Sequence, residues 1–246
     1  TPLVVDGVMY LTQSPSNVFA LDASTGSQFW SYEHRLPEKL SLCCGRQNRG
    51  VAILGETLFL GTLDAKLIAL DAKTGTVQWE TQSADPNTGY SKTAAPLVIG
   101  DKVISGIAGG EYGIRGFLDA YDAETGELAW RFYTIPGEGE PHNDTWEDDS
   151  WKTGGAPTWI TGAYDPELNL VYWGTGNPGP DWNGEAREGD NLYSDSVVAL
   201  DADTGELRWH FQFTPHDVHD WDATQIPILI DIEFDGRPRK LMLFPN

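Results

Sequence analysis

One eleven-residue unit is written four times in this chain, and that repeat limits the available folds more than any other feature. The copies are ALDASTGSQFW (20–30), ALDAKTGTVQW (69–79), AYDAETGELAW (120–130) and ALDADTGELRW (199–209). In each, a Trp follows a Gly by four residues: Gly26/Trp30, Gly75/Trp79, Gly126/Trp130 and Gly205/Trp209. Successive tryptophans lie 49, 51 and 79 residues apart. A period of roughly 40–50 residues, built from strands and a recurring Trp, is the mark of a β-propeller.

The unit has a physical reading. The apolar residues before the Asp form a strand. Asp-x-x-Thr-Gly then makes a tight turn, because Asp bonds its own backbone and Gly accepts positive φ. The next strand carries the Trp, placed to pack between neighbouring blades. Before the second and third copies stand shorter strand pairs, VAILGETLFLGT (51–62) and PLVIGDKVISGI (96–107), joined at Gly-Glu or Gly-Asp turns. The expectation is four strands per blade in a single all-β domain over residues 1–246. The spacing of 79 leaves room for an extra strand pair (156–179) and two long loops, 134–155 and 178–195. Long loops on a rigid β scaffold are where sites are usually built. DADTGE (201–206) resembles the start of a calcium-binding EF-hand loop, but it lacks the later ligands and recurs in every copy, so turn chemistry is the better account. Both ends of the chain read as strand interior, and it is expected to be part of a longer propeller.

Charge narrows the partners. There are 37 acidic and 16 basic residues, a formal net charge of −21. Such a surface repels nucleic acid and anionic membrane and attracts cations or basic partners. No apolar run approaches the roughly 18 residues of a membrane span.

Four stretches carry candidate chemistry. Cys43 and Cys44 are the only cysteines and are adjacent. They are either two buried thiols or a vicinal disulfide, whose Cα atoms, about 3.8 Å apart, would lie closer than in ordinary bridges and leave it strained. GIAGGEYGIRG (106–116) holds Glu111 in a glycine-rich turn, where Gly109 and Gly110 would let a flat ligand or a metal approach the backbone. GTGNPG (174–179) offers the amide of Asn177, a turn residue or a ligand for a hard cation. TPHDVHDWDATQ (214–225) gathers His216, Asp217, His219, Asp220 and Asp222 around Trp221. The histidine–zinc patterns HExxH and HxHxDH are absent, so its carboxylates are the better metal candidates, as hard donors for a hard cation.

Taken together and in order, CC-x3-NRG, GGE-x-G-x-RG, GTGNP, PHD-x2-D and the ALDA-x-TG-x3-W repeats resemble one family, the quinoprotein (PQQ-dependent) alcohol dehydrogenases of the methanol and ethanol type. The resemblance runs over essentially the whole chain and implies an eight-bladed propeller of which this is about half. It implies that Cys43 and Cys44 form a disulfide against one face of the PQQ ring and that Trp159 stacks on the other. Arg49 and Thr93 would bond PQQ oxygens, with Gly109 and Gly110 beside the ring. Glu111, Asn177, Asp220 and Asp222 would hold the metal, and Asp220 would be the catalytic base. Ala108 stands where many relatives carry a PQQ-contacting Ser, which puts one hydrogen bond in doubt. Asp222 occupies the position that is Asp in lanthanide-dependent relatives and small or neutral in calcium-dependent ones. Three carboxylates are better matched by a trivalent ion than by Ca²⁺. The resemblance further implies oxidation of a small primary alcohol, a cytochrome c-type electron acceptor, a periplasmic location and an assembly as large as a homodimer. The rival readings are a non-catalytic propeller scaffold, which has no use for these motifs, and a sugar-oxidising quinoprotein, against which the paired cysteines argue.

Overall fold

Each repeat folds into the last two strands of a four-stranded antiparallel sheet, in a computed structural model that describes all 246 residues. The first blade holds β1 (Leu3–Val5), β2 (Val8–Gln13), β3 (Asn17–Asp22) and β4 (Gln28–Tyr32). The second holds β5 (Ala52–Leu54), β6 (Thr57–Gly61), β7 (Lys66–Asp71) and β8 (Val77–Gln82). The third holds β9 (Leu97–Ile99), β10 (Lys102–Gly106), β11 (Phe117–Asp122) and β12 (Leu128–Tyr133). The fourth holds β13 (Ala163–Asp165), β14 (Leu170–Gly174), β15 (Ser196–Asp201) and β16 (Leu207–Gln212). A hairpin, β17 (Ile228–Phe234) and β18 (Arg237–Leu243), follows the fourth blade. Within every blade the strands pair in sequence order, so no strand crosses another.

The turn chemistry is as the sequence requires. Asp22 Oδ1 accepts from the N–H groups of Ser24 (2.8 Å) and Thr25 (2.9 Å). Asp71, Asp122 and Asp201 repeat the pattern. The glycine that closes each turn has positive φ, between 72° and 74°. The register slips at the same place in all four blades, after Ala20, Ala69, Ala120 and Ala199. The extra residue lies on the Trp-bearing strand, immediately before the Trp: Phe29, Gln78, Ala129 and Arg208.

That Trp joins one blade to the next. Trp30 Nε1–H donates to the Ala72 carbonyl (3.1 Å), Trp79 to Ala123 (3.2 Å) and Trp130 to Ala202 (3.1 Å). Each indole also lies on the turn glycine of the following blade. A Cβ on Gly75 or Gly126 would come within 2.5 Å of the ring, and one on Gly205 within 2.6 Å. An indole wants a partner for its N–H and a flat apolar surface, and the Ala and Gly of the next repeat supply both. Trp209 rests on Tyr172 and is partly exposed.

The core therefore lies between blades. Along β6, Leu58 and Leu60 face the first blade with Tyr10, Val18 and Trp30, while Phe59 faces the third with Val103 and Tyr121. Strands covered on both faces are apolar throughout rather than alternating. The 79-residue interval needs a different account from the extra strand pair the sequence suggested. The strands there, β13 and β14, are the ordinary first pair of the fourth blade. The added length lies in the two long loops, which pack on each other: Asn191 N–H donates to Thr145 O (2.9 Å) and Glu147 N–H to Glu188 O (3.1 Å).

Candidate cofactor and cation site

Four segments that link one sheet to the next, together with the β10–β11 connection, converge on a cavity of about 280 Å³. Residues 43–49 arrive ahead of β5, 91–93 ahead of β9, 108–111 from the end of β10, 157–159 ahead of β13 and 220–222 ahead of β17. Hydrogen bonds tie these segments to one another. Thr93 Oγ1 donates to Trp159 O (3.3 Å), and Arg49 N–H donates to Thr93 O (3.0 Å).

Of the residues singled out in the sequence, Cys43, Cys44, Arg49, Thr93, Gly109, Glu111, Trp159, Asp220 and Asp222 line this cavity. Cys43 and Cys44 are bonded to each other. The Glu111 carboxylate lies within 4.8 Å of both sulfurs, and disulfide sulfurs, having no thiolate, are not the metal ligands that such proximity would otherwise suggest. The Arg49 guanidinium lies 4.9 Å over the Trp159 ring. The backbone itself also requires glycine at Gly109: it has φ of +118°, and a Cβ there would collide with the Gly89 carbonyl.

Gly110 and Asn177 sit just behind the lining. A Cβ on Gly110 would be 3.4 Å from Asn177 Oδ1. Asn177 is buried, and its Nδ2 donates to Asp181 (2.7 Å) and to Pro178 O (3.3 Å). Its Oδ1 is thereby turned towards the Gly110–Glu111 turn.

The loop 214–225 is shaped by its own carboxylates. Asp217, buried, accepts from His219 N–H (2.9 Å) and Trp221 N–H (2.9 Å). Buried Arg187 donates to the Asp217 carbonyl, to Asn191 Oδ1 (2.7 Å) and to the carbonyls of Pro180 (3.1 Å) and Asp181 (2.9 Å). Held this way, Asp220 and Asp222 both adopt left-handed backbone, with φ of 58° and 48°, a region Asp tolerates better than most residues. Asp222 accepts from Asn177 N–H (2.8 Å) and Trp159 Nε1–H (3.1 Å). Burial pushes its carboxyl up to about 7, against the lowering effect of the Asn177 N–H. Burial, with Asp181, Glu111 and Asp217 nearby, also raises Asp220. Acids that burial and mutual repulsion drive towards neutrality are acids that a cation would relieve. The histidines stand apart: His216 Nδ1 pairs with Gly189 O (2.8 Å), and exposed His219 lies edge-on to Trp221.

Gln47 and Ser91 also line the cavity and were not singled out in the sequence. Ser91 exchanges backbone hydrogen bonds with Ala108, a pairing that no local motif announces. The residues present fit a flat acidic cofactor together with a hard cation. Arg49, Gln47, Ser91 and Thr93 offer a cation and polar groups along one side, Trp159 and the disulfide offer flat surfaces, and Glu111, Asn177, Asp220 and Asp222 offer oxygen donors.

Comparison with known proteins adds to this geometry. The family model described as PQQ, glucose/ethanol/alcohol dehydrogenase, β-propeller domain, matches residues 1–246. The quinoprotein alcohol dehydrogenase PedH of Pseudomonas putida is 48% identical, over 97% of this chain and 43% of that protein. The lanthanide-dependent methanol dehydrogenase of Methylorubrum extorquens is 40% identical, over 98% of this chain and 44% of that protein. A solved europium-containing methanol dehydrogenase superposes with a TM-score of 0.91 at 38% identity, covering 99% of this chain and 46% of that one. The chain thus spans less than half the length of these relatives.

Proposed function

Because the chain belongs to the family of PQQ-dependent β-propeller alcohol dehydrogenases, we propose that the whole protein oxidises a primary alcohol to the aldehyde at the cavity between the paired cysteines and Trp159. The observation that carries this reading is the convergence of Glu111, Asp220 and Asp222 on the same cavity as Cys43, Cys44 and Trp159. Bound there beside a hard cation, PQQ supplies a two-electron acceptor for hydride from the alcohol carbon. The rest is the work of this chain's residues. Cys43–Cys44 and Trp159 hold the ring from its two faces. Arg49 and Thr93 orient it through its oxygens. Glu111, Asn177, Asp220 and Asp222 hold the cation. Asp220 takes the hydroxyl proton of the alcohol, and its raised pKa makes it a stronger base than an ordinary aspartate. Three carboxylates favour a lanthanide ion over Ca²⁺. Electrons pass on to a cytochrome c-type acceptor, in the periplasm.

Dye-linked alcohol oxidation by the whole protein, loaded with PQQ and either La³⁺ or Ca²⁺, tests this. Activity with La³⁺ alone is expected. Activity with Ca²⁺ would keep the enzyme class and remove Asp222 from the ligands. Asp220→Ala is expected to lose about 10²–10⁴ of the turnover while PQQ absorbance still reports binding. Near-normal turnover in that variant would assign the base elsewhere.

A further inference from the structure

Asp195, only 1% exposed, is the one buried carboxylate whose two oxygens both lack a hydrogen-bond partner. It precedes β15, and its N–H donates to Gly176 O (3.0 Å). Gly176 is the residue against which Asp222 packs, since a Cβ there would collide with Asp222 Oδ1. Asp195 is therefore joined to Asp222 through Gly176 and is not among the residues that line the cavity. An ionised carboxylate buried without donors is strongly unfavourable unless positive charge lies near. Arg187 is the buried cation of this region, but its hydrogen bonds go to three carbonyls and one amide. The charged groups around Asp195 are Asp217, Asp222, Arg187 and Asp220, an excess of negative charge.

We propose that Asp195 is an outer charge of the cation site, acting through its field rather than by ligation, that sets the preference for trivalent over divalent ions. This rests on the cation site proposed above. In the absence of an ion, burial and Asp217 push Asp195 up to about 8, so the group waits largely protonated. A cation held by Glu111, Asn177, Asp220 and Asp222 supplies the missing positive charge, and its attraction for Asp195 grows with its valence.

The test uses Tb³⁺ alone, with luminescence excited through tryptophan (Trp159 adjoins Asp222), and Ca²⁺ by competition. Glu111→Gln separates the site from the acidic surface: only the signal it removes is counted. In Asp195→Asn, Tb³⁺ is expected to bind about tenfold and Ca²⁺ about fivefold more weakly, because the coupling scales with ionic charge. The ion-free variant is expected to melt at a higher temperature than the parent, since an unpaired buried acid has gone. Asp195→Ser serves the same comparison should the Asn variant fold poorly. Equal losses for both ions, or none, overturn the role of Asp195 and leave the cation site standing. A Tb³⁺ signal untouched by Glu111→Gln overturns both.

Discussion

At the residue scale, burial decides what a charged side chain does here. Lys92 precedes Thr93 in a segment that lines the cavity, but points away from it. Its Nζ donates to Ser105 Oγ (3.1 Å) and Gly106 O (3.1 Å) of the third blade, and the side chain is 1% exposed. Burial lowers its pKa from 10.5 to about 8, against the pull of Asp119. Below about pH 8 both folded and unfolded chains carry the proton, and the folded state bears the whole penalty. Between about 8 and 10.5 the unfolded chain holds more protons, so stability rises with pH. Relative to Lys92→Met, the wild type is expected to gain up to about 3 kcal/mol across that window. Urea unfolding of both proteins at a series of pH values measures it, and parallel curves would contradict it.

At the element scale, the Trp of each repeat is the fastening between blades. Trp130 is buried, with its N–H on Ala202 and its ring on Gly205. Trp130→Ala is expected to cost about 3–5 kcal/mol, as for other large aromatic deletions in cores. Trp209 has the same place in its repeat but is 41% exposed in this chain. Trp209→Ala is expected to cost no more than about half as much, since the cost follows the area withdrawn from water. Chemical denaturation of the two variants separates the contribution of the motif from that of its docking. Equal costs would mean that the motif acts within its own blade.

At the scale of the whole molecule, charge works against compactness. A net charge of −21 on 246 residues makes the folded state repel itself, and salt screens that repulsion over a Debye length of about 10 Å at 0.1 M. Raising KCl from about 20 to 500 mM is expected to raise the melting temperature by a few degrees, equivalent to about 1 kcal/mol or more. A fall would show that ion pairs such as Arg131–Asp119 (2.6 Å) outweigh the repulsion.

The repeat by itself determined the propeller, because strand, Asx turn, positive-φ glycine and docking Trp are all encoded within eleven consecutive residues. The motifs of the candidate site are equally local, so Cys43–Cys44, Glu111 and the Asp220–Asp222 pair are legible from the order of residues alone. The tertiary structure decided what depends on distant neighbours. It showed the 79-residue interval to be loop rather than added strands, since strand count follows from pairing partners and not from length. It brought Gln47 and Ser91 into the cavity across blades. Nothing in the local sequence around Asp195, in YSDSVV, or Lys92, in YSKTAA, marks either residue as buried. Only the packing of other segments over them makes one an unpaired buried acid and the other a buried tie, because desolvation depends on surroundings that no stretch of chain specifies alone.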